Sequence, residues 1–367
     1  MKRLTKVKLN DPSEAFPVSA FGSLKYRGVP EEGFSLVELM VALTVGLILL
    51  AGLTSIFVSN SHTRDYIERA NQQLENGSYS IKVLMADLSN AGYFAEFNPT
   101  QLVAPTALPD VCDTSVANIK SSIPIHIQGY DDGAAKPTCI SDVRAGTDVL
   151  AIRRVSTCVA GSANCDPVVA GDPYFQASLC GGATELGSTN PNSFYALDTA
   201  IANLTVHKRD CTTLAALHRY ETHIYFVANN DEPGDGIPTL KVAELSNGAF
   251  ATSAIAEGIQ NMQLEYGLDT NNDGVPDVYT SDPSSYATCD ATTTPTCVGN
   301  WQNAMAVNVH ILSRSLTQEP GPPDTKTYTL GKDFSGSSVV VGPLNDKYRR
   351  HVFESYIKLY NAVGRRT

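Results

Sequence analysis

The chain has 367 residues, 43% of them hydrophobic, with eight cysteines and a net charge of −11 at pH 7. That length and apolar content allow a sizeable core in one large or two small domains, and one elaborate domain on a stalk is expected. The negative balance argues against a body built to hold nucleic acid, whose phosphates it would repel.

The first 33 residues depart from that balance. Lys2, Arg3, Lys6, Lys8, Lys25 and Arg27 outnumber Asp11, Glu14, Glu31 and Glu32, which leaves about −13 on the remainder. With no apolar run of its own, the segment does not read as an ordinary secretory signal peptide. Its cations favour the cytoplasm, which puts everything after Val58 outside. From Leu36 to Val58 every residue is apolar, Gly, Ser or Thr except Glu38. At about 1.5 Å per residue such a helix just crosses a hydrocarbon core of roughly 30 Å. A lone carboxylate in that run costs roughly 2.5–3.5 kcal/mol at full depth, so a partner or a task is expected for it.

Gly33-Phe34-Ser35-Leu36-Val37-Glu38, followed by about twenty apolar residues, resembles the processing site of type IV pilins. The resemblance implies that a prepilin peptidase cuts after Gly33 and that Phe34 becomes an N-methylated N-terminus. Glu38 would be the fifth residue of the mature chain. In that family the carboxylate meets the α-amino group of a neighbouring subunit as helices stack with an axial offset, so two charges costly in lipid neutralise each other. The other reading of Glu38 is an acid near the membrane surface that snorkels or stays protonated. Glu31 and Glu32 stand where the family commonly has a basic residue.

Beyond the apolar run, Ile67, Ala70, Leu74, Gly77, Ile81, Leu84, Leu88 and Ala91 recur at steps of three and four with charged residues between them. This predicts an amphipathic continuation. No Pro occurs from Phe34 to Tyr93, so a single helix of roughly 58 residues, about 85 Å long, is expected, ending near Ala91-Gly92. The division is then leader 1–33, membrane-spanning half 34–59, amphipathic half 60–92 and head 93–367. Gly46, Gly52 and Gly77 allow either local melting or close helix approach.

From 93 to about 220, Gly, Pro, Ser, Thr and Asn surround short apolar pieces (Ile123 to Ile127, Val149 to Ile152, Leu204 to His207). They predict strands joined by long loops. Cys112, Cys139, Cys158, Cys165, Cys180, Cys211, Cys289 and Cys297 all lie on the outer side, which suits an oxidising compartment and four disulfides. Short separations favour Cys158 with Cys165 and Cys289 with Cys297. No Cys-x2-Cys or His-x3-His spacing supports zinc. Further on, Thr222 to Val227 and Leu240 to Leu245 flank a turn-rich connector and predict a β-hairpin. Met262 to Leu268, Ala306 to Ser313 and Val352 to Tyr360 are further strands. The fold class is therefore α+β, a long N-terminal helix on an antiparallel sheet with disulfide-stapled loops, and the resemblance to type IV pilins implies that it is a pilin-like fold.

Gly258 to Asp269, Val307 to Ser315 and Tyr348 to Phe353 are similar to segments of PilW-type minor pilins. The resemblance implies a structural, non-enzymatic subunit of a type IV pilus, acting in assembly initiation or in a tip complex. Its partners would be other minor pilins, the major pilin, the prepilin peptidase and the inner-membrane assembly platform. Its place would be the bacterial inner membrane, then the pilus. A type II secretion pseudopilin, a tip adhesin and a DNA-uptake pilin are the alternatives.

Two other patterns carry possible chemistry. Asp269, Asn271, Asp273 and Asp277 place side-chain oxygens at positions 1, 3, 5 and 9 of a loop with Gly274 at 6, so that Val275 would offer its carbonyl to Ca2+. The twelfth position is Thr280 rather than a bidentate Glu, and the competing reading is a solvated Asn-Asp-Gly hairpin turn. Lys347, Arg349, Arg350, Lys358, Arg365 and Arg366 cluster near the end; an alternating solvated strand accounts for them more simply than nucleic acid does. No Gly-x-Ser-x-Gly, His-Glu-x-x-His, phosphate loop or dinucleotide fingerprint occurs, and an anchored enzyme is the reading from a different class.

Overall fold

The computed structural model describes residues 33–131, 136–286, 294–333 and 335–364, the side chains of 294–296 excepted. Helix α1 (Leu36–Leu88) opens on a capping box: the Ser35 hydroxyl accepts from Val37 N–H at 3.3 Å, and Glu38 Oε2 accepts from Ser35 N–H at 3.0 Å. Two compact units divide between Ser61 and His62. In the first, every described side chain is exposed, and the large apolar residues from Leu36 to Val58 are 46–74% exposed. This helix is long and apolar enough to cross a membrane.

In the second unit the regular helix stops at Leu88, earlier than expected. Asn90 and Ala91 tighten to bonds three residues back, on Asp87 O and Leu88 O, and Gly92 N–H leaves the helix to donate to Arg153 O at 3.0 Å. Gly92 holds φ +72°, a conformation that favours glycine, and a Cβ there would lie 3.0 Å from His126 Cβ. Helix α2 (Val116–Ser122) follows, capped by Ser115, and its C-cap Ile123 occupies a position expected to be strand.

Strands β1 (Ile127–Tyr130), β2 (Val149–Val159), β3 (Tyr174–Ala177), β4 (Tyr195–Asp198), β5 (His218–Ala228), β6 (Thr239–Ser246) and β7 (Ala249–Glu257) form a seven-stranded sheet. The β5–β6 hairpin pairs Tyr225 with Val242 and Val227 with Leu240. Residues 204–207, expected to be strand, make only an isolated bridge between His207 and Leu214.

A second sheet takes β8 (Ile259–Leu268), β9 (Val278–Thr280), β10 (Ala304–Arg314) and, after the two-stranded ribbon β11 (Tyr328–Lys332) and β12 (Ser338–Val341), β13 (Arg350–Lys358), in the order β13-β10-β8-β9. All strand pairs within the sheets are antiparallel. One sheet was expected and two form. The chain changes sheet at Gly258, where φ is +74° and a Cβ would lie 2.6 Å from Arg314 O, a corner that only glycine fits.

One core joins the sheets and the helix end: Leu84, Leu88 and Ala91 lie with Ile127, Leu150 and Val227 of the first sheet and Leu264, Val307 and Ile311 of the second. A separate aromatic cluster (Phe94, Phe97, Phe175, Tyr195, Tyr220) fills the other end of the first sheet. It closes the 93–220 region on something more than its disulfides.

Candidate functional site

The residues expected to carry processing and assembly lie together at the front of α1. Gly33 and Phe34 precede the capping box, with Phe34 90% exposed, and the Glu38 carboxylate turns back on its own helix end. The Ser35-x-x-Glu38 spacing is a helix-start signal in its own right, whereas sequence reading had used Glu38 as a carboxylate out of place in a membrane run and as the pairing residue that the resemblance implies, not as a cap. Residues 1–32, with the basic residues of the expected leader, lie outside the described residues.

The buried face of the helix differs from the expected stripe. Ile67 is 51% and Leu74 44% exposed, whereas Gln73, Gly77, Ser80, Leu84, Asp87 and Leu88 are buried. Polar side chains seat the helix on the ends of strands. Arg69 Nη1 donates to Thr317 Oγ1 at 2.7 Å, Gln73 Nε2 to Ser313 O at 3.0 Å and Arg349 O at 3.1 Å, and Asn76 Nδ2 to Glu257 O at 3.0 Å. The Arg349 guanidinium lies 4.0 Å over the Tyr66 ring, donates to its hydroxyl and pairs with Glu319. Gly77 sits under Phe353 of β13, whose ring occupies the space a Cβ would need, 2.2 Å away.

Near the helix end Asp87 accepts from Arg154 Nε of β2 at 2.7 Å and Tyr225 Oη of β5 at 2.9 Å, and lies 2.7 Å from His223 Nδ1, also of β5. Burial alone would raise its pKa; the hydrogen bond and charge of His223, and those of Arg154, overcome that and bring it down to about 2. For His223 burial works the other way, yet Asp87 holds its pKa above the ordinary value. Arg154 also pairs with Glu221, and His223 Nε2 lies 3.7 Å from Glu244. Sequence reading missed this network because a single Asp in a helix looks like any solvated residue; its only trace was an acid on the face that must turn inward with Leu84 and Leu88.

Disulfides join Cys112 to Cys139, Cys158 to Cys165 and Cys180 to Cys211, so the short separation at 158–165 is used. Cys297 is also disulfide-bonded, while Cys289 lies outside the described residues. Beside Cys180 a Ser, a Glu and a His meet: Ser178 donates to Glu185 Oε2, and His207 Nδ1 lies 2.8 Å from Glu185 Oε1. Hydroxyl and imidazole share the carboxylate instead of touching each other, so no imidazole is aimed at the hydroxyl, and the set ties the end of strand β3 to the 204–207 loop.

In the 269–277 loop the acidic oxygens accept from the loop's own donors. Asp269 Oδ1 takes the N–H of Asn272 at 2.6 Å and of Asp273 at 3.2 Å, and Oδ2 that of Gly274 at 2.9 Å. Asp277 Oδ2 takes the N–H and hydroxyl of Thr270, both at 2.8 Å, and Asn271 Nδ2 lies 3.2 Å from both Asp273 Oδ2 and Asp277 Oδ1. Gly274 has the positive φ, +81°, that the tight turn requires, and Val275 is 58% exposed. Among the described residues no group of three or more His, Cys, Asp or Glu is arranged to hold a metal ion.

The C-terminal basic residues do not form one face. Arg350 is buried, 3.0 Å from Asp324 and 2.6 Å from Asp346, and Arg349 is engaged as above. Arg365 and Arg366 lie outside the described residues.

The comparisons with known proteins agree at both ends of the chain. Residues 224–361 match the family described as Type IV Pilus-assembly protein W, and residues 30–54 match the prokaryotic N-terminal methylation motif. No curated protein matches. Among solved structures, the Type IV-like pilin TTHA1219 from Thermus thermophilus is similar at 11% identity and a TM-score of 0.35, covering 79% of this chain and 96% of that one. The methylation motif opens the apolar helix, and the region similar to the pilus-assembly family runs from within β5 to just past β13.

Proposed function

We propose that the chain enters the inner membrane as a single pass, is cut between Gly33 and Phe34 by the prepilin peptidase, and joins other minor pilins and the major pilin on the assembly platform. There it initiates pilus assembly or becomes part of the tip. One observation carries this reading: the run at 36–58, apolar but for Gly, Ser, Thr and the one carboxylate of Glu38, is exposed along its whole length. Such a surface suits lipid first and neighbouring helices afterwards. On assembly Glu38 exchanges the Ser35 N–H for a neighbour's α-amino group and so sets axial register.

Glu38→Ala should leave membrane insertion intact and cut recovery in sheared pili about tenfold or more, as expected when a pairing worth more than about 1.4 kcal/mol is lost. Unchanged piliation would count against the reading, as would a mature protein whose N-terminal sequence begins upstream of Phe34. We further propose Ca2+ for the 269–277 loop, supported by its oxygen spacing and the Gly274 turn; the ion would replace the hydrogen bonds to Asp269 and Asp277. Millimolar calcium should then raise the thermal midpoint over that in EDTA for the native chain and not for Asp273→Ala; equal midpoints in both would remove calcium from the account.

A further inference from the structure

We infer that the outer edge of β12, together with Arg144, is a docking cleft for an extended, acidic segment of a neighbouring pilus subunit; the inference rests on the pilus-subunit reading. A cleft of about 490 Å3 runs between Ser338–Val341 on one side and Arg144 to Gly146 with Gln260 and Gln263 of β8 on the other. Four consecutive β12 residues line it. Successive side chains on a strand point to opposite faces, so the cleft follows the strand's edge and not one of its faces. Among the described residues β12 pairs with β11 and with no other strand, so one row of its backbone N–H and C=O groups has no strand partner. The edge reads Ser-Val-Val-Val, with Val340 53% exposed, and carries no Lys or Pro to blunt it.

Arg144 supplies the second half of the argument. Arg144 is partly buried and takes part in none of the ion pairs among the described residues. Burial, and then the charge of Arg350, hold its pKa below the ordinary arginine value. Arg350 is already committed to Asp324 and Asp346, and Arg314 lies 4.1 Å over the Tyr348 ring. Of the acids on the cleft, Asp333 faces its own hairpin, accepting from Ser335 Oγ at 2.7 Å and Ser337 N–H at 2.9 Å; Asp131 lines the cleft as well. A guanidinium in that setting takes a carboxylate from outside. Main-chain bonds to β12 would supply affinity, and one Asp or Glu set on Arg144 would fix the register of the incoming strand.

The test is photo-crosslinking in piliated cells with p-benzoylphenylalanine at Val340 of the full-length chain, and at exposed Ile67 of α1 as control. Val340 should give an adduct with another pilus subunit, mapped by mass spectrometry to an extended segment bearing Asp or Glu. Its yield should fall about tenfold in Arg144→Glu and less in Arg144→Gln, with Ile67 adducts unchanged in both. If Ile67 crosslinks to pilins while Val340 does not, or if Val340 adducts are indifferent to Arg144→Gln and Arg144→Glu, the docking cleft is refuted and the pilus reading stands. If neither position reaches a pilin, both are refuted.

Discussion

Two stretches of the same helix, Leu36 to Val58 and Gln73 to Leu88, reverse the usual relation between polarity and burial. The first is nearly all apolar and wholly exposed; the second buries Gln73, Ser80 and Asp87 beside Leu84 and Leu88 while Leu74 stays 44% exposed. The front surface is left uncovered by the chain and suits lipid, where apolar contact lacks the water-driven gain it has in a soluble core. The back surface lies on sheets whose strand ends present backbone carbonyls and charged side chains. A helix laid there is held by hydrogen bonds at fixed points as well as by apolar contact.

That contrast makes the back stretch sensitive and the front stretch indifferent when folding of the head is measured. The largest effect is expected from Asp87→Ala, which leaves Arg154, His223 and Tyr225 buried around an empty position; about 3–5 kcal/mol should be lost in urea unfolding of the full chain in mild detergent. A loss under about 0.5 kcal/mol would mean that the network does not hold the helix down.

The pH profile probes the same residues. Because the Asp87 pKa falls from 3.8 to about 2 on folding, its contribution, about 2 kcal/mol, is present above pH 4 and disappears as pH drops through 2. The His223 pKa is raised above 6.5, so its contribution is complete below pH 6.5 and is lost as pH climbs through the folded value. Stability should therefore be highest between about pH 4 and 6.5, with Arg154, Glu221, Glu244 and Tyr225 facing the pair and shaping the limbs. Asp87→Asn should flatten both limbs.

Smaller still is Gly77→Ala. Its Cβ meets the Phe353 ring, and overpacking of roughly 1–3 kcal/mol outweighs a helix-propensity gain of about 1 kcal/mol. Gly46→Ala and Gly52→Ala, with nothing within 4 Å, should keep that gain. The smallest effect belongs to Leu47→Ala, which should leave head stability within about 0.5 kcal/mol, since Leu47 is 63% exposed. A clear loss there would erase the distinction between the two stretches.

How far the fold can be read from sequence varies along the chain in the same way. The β5–β6 hairpin, β8, β10 and β13 were legible because each is a run of alternating or continuous apolar residues bounded by turns. The 93–220 region was only partly so. Ile123 closes a helix, and 204–207 is held by Glu185, whose side chain accepts the His207 N–H at 3.0 Å. Such contacts depend on partners distant in sequence, which no local pattern records.

The sequence alone determined whatever depends on neighbours along the chain. That covers the position of the N-terminal methylation motif, the length of the apolar run and the capping spacing at Ser35 and Glu38, while the short 158–165 disulfide was a pairing it favoured without fixing. Which helix face turns inward, the split into two sheets at Gly258 and the partners of Asp87 were decided only in three dimensions. There burial depends on what lies opposite, and a polar group is admitted wherever a distant donor meets it.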